Sequence, residues 1–578
     1  MRDSNNVRQS IASVFAWLCW LMCSSPSTAE DFKYRQAESD KAMVATGHAL
    51  ATDTAVRVLE AGGNAVDAAL SAVLTLGVVD GHNSGIGGGC FILIRTPSGE
   101  FHAIDGREMA SRHATPKMYY QDGSVNTRLS KTGPLASGVP GAVSAYATAA
   151  QLCGQLPWNQ LFQDAIRHAQ EGFTIDEGYA LKLQSKARQL KEYAGSRDVY
   201  FNADGKLWRS GDRLVQADLA RTLAGIAKEG ADFFYRGPTA TAISAWMQAN
   251  GGMLDREDFA SYAARLRVPV LSRYRGYEIV GFPPPSSGGV HIAQILNTLE
   301  AFDLGSVYQQ SSVDYVHLVT EALKLAFADR AYWLGDPEFA EVPPGLVDTS
   351  YGKKLAEQIS IEKVSPVLSH GTPAVTSTDR FDRHTTHVAV ADSEGYWVAL
   401  TATINTWFGS KVVVPGTGVL LNNEMDDFSI SPGVPNAFGL VGSKANQVEA
   451  KKRPLSSMSP TIVLQDGRPV FSLGAAGGPR IISSVLLAIS RIIDLDMTPY
   501  DAIALPRFHH QWSPDFLYLE KSVPAVLRQG LEIKGHQIRE LSSAGVAQMI
   551  FRDPLTGIFT GIYDPRINGK ASGPVRSP

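Results

Sequence analysis

Apolar and polar side chains alternate along the chain in ways that mark out its elements. From Asp53 to Ala61, Ala55, Val58 and Leu59 recur at helical spacing. Gly62 and Gly63 then stop the run, and Asn64 stands where a cap should open a second apolar helix towards Val79. Cys90 to Arg95 and Glu100 to Asp105 flank the turn TPSG and predict a β-hairpin that delivers Arg107 just past its second strand. Residues 157–250 are amphipathic at helical period, and Val313 to Leu334 predicts a further helix.

After Phe381 the period shortens to two. HTTHVAVAD and YWVALTATIN pair about the turn SEG, which sets Thr385 opposite Ala402 to within one residue and makes Thr401, Thr403 and Asn405 its neighbours. A second hairpin, PTIVLQDGRPVFSLGAAGGPR, runs into the apolar helix Arg480 to Ile493. Strand pairs with flanking helices predict a layered α/β sandwich.

The 578 residues exceed the roughly 250–300 at which one core stops growing, so several domains or one large layered domain is expected. Basic and acidic side chains number 53 and 57, a net charge of −4 that implies no nucleic-acid partner. The short basic run Lys451, Lys452 and Arg453 reads as a solvated loop.

Arg2 and Arg8 precede an apolar run from Ile11 to Met22, and Ser27 and Ala29 supply small residues beyond it. That run is shorter than the roughly 20 residues needed to span a bilayer. The pattern therefore predicts a cleavable signal peptide over residues 1–29, export to a periplasm or beyond, and no stable membrane span. The absence of any Asn-X-Ser/Thr sequon favours a bacterial periplasm over an animal cell surface. Only Cys90 and Cys153 would remain in the mature chain, which is no disulfide scaffold; whether they pair is open.

Several motifs invite a chemical reading and lose it on inspection. PPPSSGG (Pro283 to Gly289) and SGIGGG (Ser84 to Gly89) lack a GxSxG elbow or a GKS/GKT ending, so tight turns and close backbone approach are expected of them. His509 and His510 are adjacent, share no face and have no third ligand at a useful spacing, so no metal is expected there.

The run TTHVAV is weak alone. It is followed by TATIN (Thr401 to Asn405), NNEMDDFS (Asn422 to Ser429), PLSSMSP (Pro454 to Pro460) and GAAGGPR (Gly474 to Arg480). AIDGREMA, ASGVPGA, PPPSSGG and PRFHHQW extend the set over nearly the whole mature chain. Together these motifs resemble the γ-glutamyltranspeptidases, members of the N-terminal-nucleophile hydrolases. The resemblance implies a four-layer αββα sandwich and a precursor that cuts itself between His384 and Thr385. A large subunit of residues 30–384 would then pair with a small catalytic subunit of residues 385–578 as a heterodimer.

Chemistry supports such a cut. A threonine hydroxyl is a poor nucleophile, and an internal amide nitrogen is no base. A freed α-amine has a pKa near roughly 8, so on the order of a third is neutral at about pH 7.5 and can take the hydroxyl proton. The resemblance makes Thr385 the nucleophile, Thr403 the residue that orients it, and Gly477 and Gly478 the oxyanion hole at the start of an apolar helix. It assigns Asn405, Glu424 and Asp427 to the donor's α-ammonium, and Arg107, Ser456 and Ser457 to its α-carboxylate. For NNEMDDFS a calcium loop is the other reading, but the spacing does not match an EF-hand.

Glu424 stands where bacterial members often carry glutamine, and Phe438 lies where tyrosine is common in the loop 432–452, which resembles a lid. The implied activity is γ-glutamyl transfer and glutathione hydrolysis without a cofactor, with glutathione and other γ-glutamyl compounds as donors and water, amino acids or dipeptides as acceptors. A glutaryl or cephalosporin-type acylase is the sibling reading, and a non-catalytic secreted binding protein the remote one.

Overall fold

The computed structural model of the chain describes residues 36–367, 385–431 and 433–574. The signal segment and His384 lie outside the described residues.

Two seven-stranded sheets dominate. The first runs in the order Lys570–Ser572, Ala42–Thr46, Thr386–Asp392, Trp397–Thr403, Gly89–Arg95, Phe101–Gly106 and Arg265–Arg267. The second runs Gln36–Ser39, Phe559–Tyr563, Val546–Arg552, Arg468–Ala476, Thr461–Gln465, Tyr277–Gly281 and Val270–Tyr274. Every neighbouring pair in both is antiparallel.

Burial along the central strands explains the layering. Both faces of Thr386–Asp392 and Trp397–Thr403 are buried, and the period of two sorts their side chains into separate cores. Val388, Val390, Val398, Leu400 and Ala402 pack with helices Ala49–Glu60, Ala65–Val79 and Ala142–Cys153. Ala389, Ala391, Trp397 and Ala399 face the second sheet, in a core that continues to helices Gly288–Leu299, Ser312–Trp333 and Arg480–Ile493. Helix, sheet, sheet and helix thus stack in four layers, each apolar face covered by the next.

Local signals behave as their chemistry requires. Asn64 caps helix Ala65–Val79 by accepting from the Val66 and Asp67 amides, while the Asp67 carboxylate accepts from the Asn64 amide. The hairpin around SEG closes through Gly395, at φ +108, and pairs Thr386 with Ala402. That register is one residue from the expected Thr385–Ala402 pairing and within its tolerance, because Ser393 to Gly395 all lie in the loop and Asp392 bonds with Tyr396.

The basic run departs from its expected solvation. Lys451 is exposed, but Lys452 and Arg453 are buried. Arg453 binds the Asp105 carboxylate at 2.7 Å and the Ala263 carbonyl at 2.7 Å, and the Lys452 ammonium lies 2.7 Å from Glu449. Three consecutive charges do not reveal which of them finds a partner, and here Arg453 is drawn inward by an acid far along the chain while Lys452 pairs with the nearby Glu449. Cys90 and Cys153 are unpaired and buried. Among the described residues no helix is long and apolar enough to cross a membrane.

Candidate active site

Thr385 and His387 share the parity of Ala389 and Ala391, so strand geometry turns them towards the gap between the sheets. Thr401 and Thr403 share that face from the neighbouring strand. The His387 Nδ1 lies 2.9 Å from the Thr401 hydroxyl, and the Thr385 hydroxyl donates to Thr403 Oγ1 at 3.4 Å. Thr403 Oγ1 also accepts the Asn405 amide at 2.8 Å, which fixes its lone pairs on two donors. Burial pulls the His387 pKa down to about 3, so this imidazole is neutral and carries no charge next to the site.

Thr385 lines a small cavity. Thr403, Asn405, Glu424, Asp427, Arg107, Ser456, Ser457 and Gly478 line it too. Gly477 adjoins it through the chain. The structure therefore brings together every described residue that the motifs single out.

Arg107 is fully buried immediately after strand Phe101–Gly106. Its Nη1 pairs with Glu424, its Nη2 lies 2.6 Å from Asp427 Oδ2, and its Nε donates to the Pro454 carbonyl at 2.9 Å. The guanidinium expected to face a carboxylate is thus engaged by two of the groups expected to hold an ammonium. Burial opposes its charge, but Glu424, Asp427 and Glu108 together hold its pKa above the ordinary arginine value.

Burial raises the Glu424 carboxyl well above its usual range, with Arg107 opposing and Glu108 adding to the rise. It likewise pushes Glu108 up to about 7 and raises Asp427, in both cases against Arg107. Glu424 Oε2 is buried without a hydrogen-bond partner among the described residues, an acceptor suited to a cationic donor from a ligand.

The serine pair is braced from behind by PPPSSGG. Ser287 donates its amide and its hydroxyl to the Ser456 carbonyl, both at 2.8 Å, and the Ser456 amide donates to the Pro285 carbonyl at 2.7 Å. SGIGGG serves close approach: a Cβ on Gly88 would lie 2.0 Å from the Thr403 carbonyl oxygen.

Gly477 and Gly478 precede helix Arg480–Ile493 with φ +143 and +58, conformations that favour glycine. Neither amide N–H has a hydrogen-bond partner among the described residues. Unpaired N–H groups at the start of a helix form an anion site.

The family pattern described as gamma-glutamyltranspeptidase matches residues 51–574. The chain belongs to the gamma-glutamyltranspeptidase family. It is therefore an enzyme of γ-glutamyl transfer. It is 41% identical over 568 residues to the glutathione hydrolase proenzyme of Escherichia coli K12, covering 97% of each chain. It is 37% identical to an acylase ACY 1 proenzyme from a Pseudomonas strain, covering 93% of this chain and 94% of that one. A cephalosporin acylase structure from Bacillus halodurans matches with a TM-score of 0.83 at 28% identity, covering 96% of this chain and 99% of that one. The fold is the αββα sandwich of the N-terminal-nucleophile hydrolases.

Within this family member the loop 433–452 lies over the cavity through Phe438, whose carbonyl accepts from Gln511 Nε2 at 3.2 Å. A Cβ on Gly478 would lie 2.6 Å from the Phe438 ring, and φ +58 adds backbone strain. Gly478→Ala is expected to turn the amide and displace Phe438, lowering kcat by about 10²- to 10³-fold, the loss typical of one oxyanion donor. Steady-state kinetics on the cleaved enzyme checks this.

Sequence reasoning missed Arg330 at the cavity and Glu108 beside Arg107, its Oε2 3.7 Å from Nη1. Arg330 follows Ala326 by four residues and Phe327 by three, both buried, so a charge in phase with an apolar stripe was its signal. It also missed a buried group, His317, Glu321 and His536, whose ligand atoms lie within 4.8 Å of one another. The two imidazoles already bond each other at 2.8 Å and the Lys324 ammonium stands 3.5 Å from Glu321, so hydrogen bonds and charge pairing satisfy the group. His509 binds Ser483 and Gln511, and His510 binds Asp515.

Proposed function

We propose that the chain is the precursor of a γ-glutamyltransferase and glutathione hydrolase that cuts itself between His384 and Thr385. The observation that carries this reading is the Thr385 hydroxyl, set beside Thr403 in a cavity that also holds Arg107, Glu424, Asp427 and the Ser456–Ser457 pair. After the cut, residues 30–384 and 385–578 remain together as a heterodimer. The charged and then apolar start of the chain supports removal of residues 1–29 on export to the periplasm or medium.

The reaction runs in two halves. Thr385 Oγ attacks the γ-carbonyl carbon of the donor while its proton passes to the new α-amine. Negative charge on the carbonyl oxygen is met by the Gly477 and Gly478 amides. The amine then protonates the leaving nitrogen, the C–N bond breaks, and a γ-glutamyl ester remains on Thr385. Water or an amino acid or dipeptide amine attacks the ester, and Oγ regains its proton. Thr403 orients the hydroxyl; Asn405, Glu424 and Asp427 receive the donor's α-ammonium; Arg107, Ser456 and Ser457 receive its α-carboxylate.

An acylase acting on glutaryl or cephalosporin-type substrates is the second reading, favoured by the relatives of that description. Its acyl group has no ammonium. Glu424 Oε2, buried beside the cavity without a hydrogen-bond partner among the described residues, argues for a cationic ligand, since a buried carboxylate oxygen without a donor is costly. Hydrolysis of γ-glutamyl and glutaryl anilides separates the two readings: kcat/KM is expected to favour the γ-glutamyl compound by at least about 10²-fold, the worth of a buried charge-assisted contact. Equal rates, or a preference for glutaryl, would select the acylase. A non-catalytic binding protein predicts an uncut chain and no turnover of either.

A further inference from the structure

Arg330 lies one turn from the end of helix Ser312–Trp333, is buried, and lines the same cavity as Thr385. Its Nε donates to the Ser287 hydroxyl at 3.1 Å and its Nη2 to the Ser457 hydroxyl at 3.2 Å. Among the described residues no carboxylate lies within 4.0 Å of it. Arg107, the other guanidinium of the cavity, spends its charge on Glu424 and Asp427. Burial draws the Arg330 pKa down to about 10, with Asp427 opposing, as expected of a cation with too little compensation. A guanidinium removed from water without an acid beside it is costly, and an anion arriving in the cavity offsets that cost.

Hydrogen-bond direction says how the anion is received. Ser287 gives its own proton to the Ser456 carbonyl and accepts from Arg330. Ser457 Oγ also accepts from Arg330, so its single proton remains for another acceptor. One guanidinium therefore fixes both serines of the pair, one through Ser287 and one directly.

We propose that Arg330 is a positioning residue for the donor's α-carboxylate, supplying the uncompensated positive charge of the cavity and aiming the Ser457 hydroxyl at the incoming oxygen. This inference rests on the γ-glutamyl reading of the site and extends it to a residue outside the motifs.

The test compares γ-glutamyl anilide with its α-carboxamide analogue, which has nearly the same shape and no negative charge. Arg330→Gln is expected to lose about 10- to 100-fold in kcat/KM on the carboxylate donor, the range for a charge-assisted hydrogen bond, mostly through KM. On the α-carboxamide donor the change is expected to stay below about 3-fold; where that donor turns over too slowly, its competitive inhibition constant serves instead. Arg330→Lys should recover part of the loss, since it keeps the charge without the fork. In a Ser457→Ala, Arg330→Gln double variant the losses should multiply to less than the product of the single ones.

Self-cleavage on a denaturing gel reports that each variant has folded, and Arg330→Lys carries the comparison if Arg330→Gln fails to fold. Equal losses on both donors, or no loss on the carboxylate donor, would overturn the proposal. A parent enzyme with no activity on γ-glutamyl anilide would overturn the underlying reading instead.

Discussion

Thr385→Ala is expected to leave one uncut chain on a denaturing gel and to lower γ-glutamyl transfer by about 10⁴-fold or more, the scale seen when a covalent nucleophile is removed. The same oxygen is asked to act twice. In the precursor it attacks the carbonyl before it, so that the acyl group moves from nitrogen to oxygen and water then releases the upstream chain. In the mature enzyme it attacks the donor. Alanine removes both steps, and it also removes the donor to Thr403 Oγ1 that orients the site.

Thr385→Ser separates the steps, because it keeps the oxygen and loses only the methyl group. It should still be cut, more slowly, and should retain measurable transfer. N-terminal sequencing of the parent's small chain must read Thr-Thr-His-Val. A parent that stays whole while turning over donor would remove the basis of the mechanism, since Thr385 would then have no amine of its own to take its proton.

Much of this site was legible because its chemistry is local in sequence. The glycine pair before helix Arg480–Ile493, the hairpin carrying Thr385 and the end of the strand before Arg107 all follow from short-range period and turn chemistry. What stayed hidden depends on long-range pairing. Strand Ala42–Thr46 lies beside Thr386–Asp392, hundreds of residues away, and no local pattern specifies that neighbour. Arg453 was misjudged for the same reason, since its burial is decided by Asp105 and Ala263. Arg330 reads on the sequence as one of several charges along helix Ser312–Trp333, and only the fold brings it to Ser457.

Arg107→Gln is expected to be the most damaging change that leaves the nucleophile intact. The parent guanidinium stands between Glu424 and Asp427, with Glu108 Oε2 a further 3.7 Å from Nη1. Removing it leaves three carboxyl groups in or beside a buried cavity without their ion-pair partner, Arg330 being the remaining cation there, and breaking a buried ion pair in this way costs about 3–5 kcal/mol.

The sign of the pH dependence follows from the directions of the shifts. Burial already raises the Glu108, Glu424 and Asp427 carboxyls in the parent, and losing Arg107 removes the group that opposes the rise in all three. Acids with raised values hold more protons folded than unfolded, so stability falls as pH climbs from their ordinary range through their folded values. The deficit of Arg107→Gln should therefore be largest above about pH 7 and shrink towards about pH 5, where the carboxyls can be neutral at less cost. Thermal midpoints of parent and variant across that range read this directly. A gap independent of pH would mean that Arg107 stabilises the fold by packing alone. Arg107→Lys should fall between the two, because one ammonium cannot meet two carboxylates with the geometry of a planar fork. In kinetics the glutamine variant is expected to lose at least about 10²-fold in kcat/KM on γ-glutamyl donors, because three acids without their cation repel the donor's carboxylate and lose their fixed placement around its ammonium.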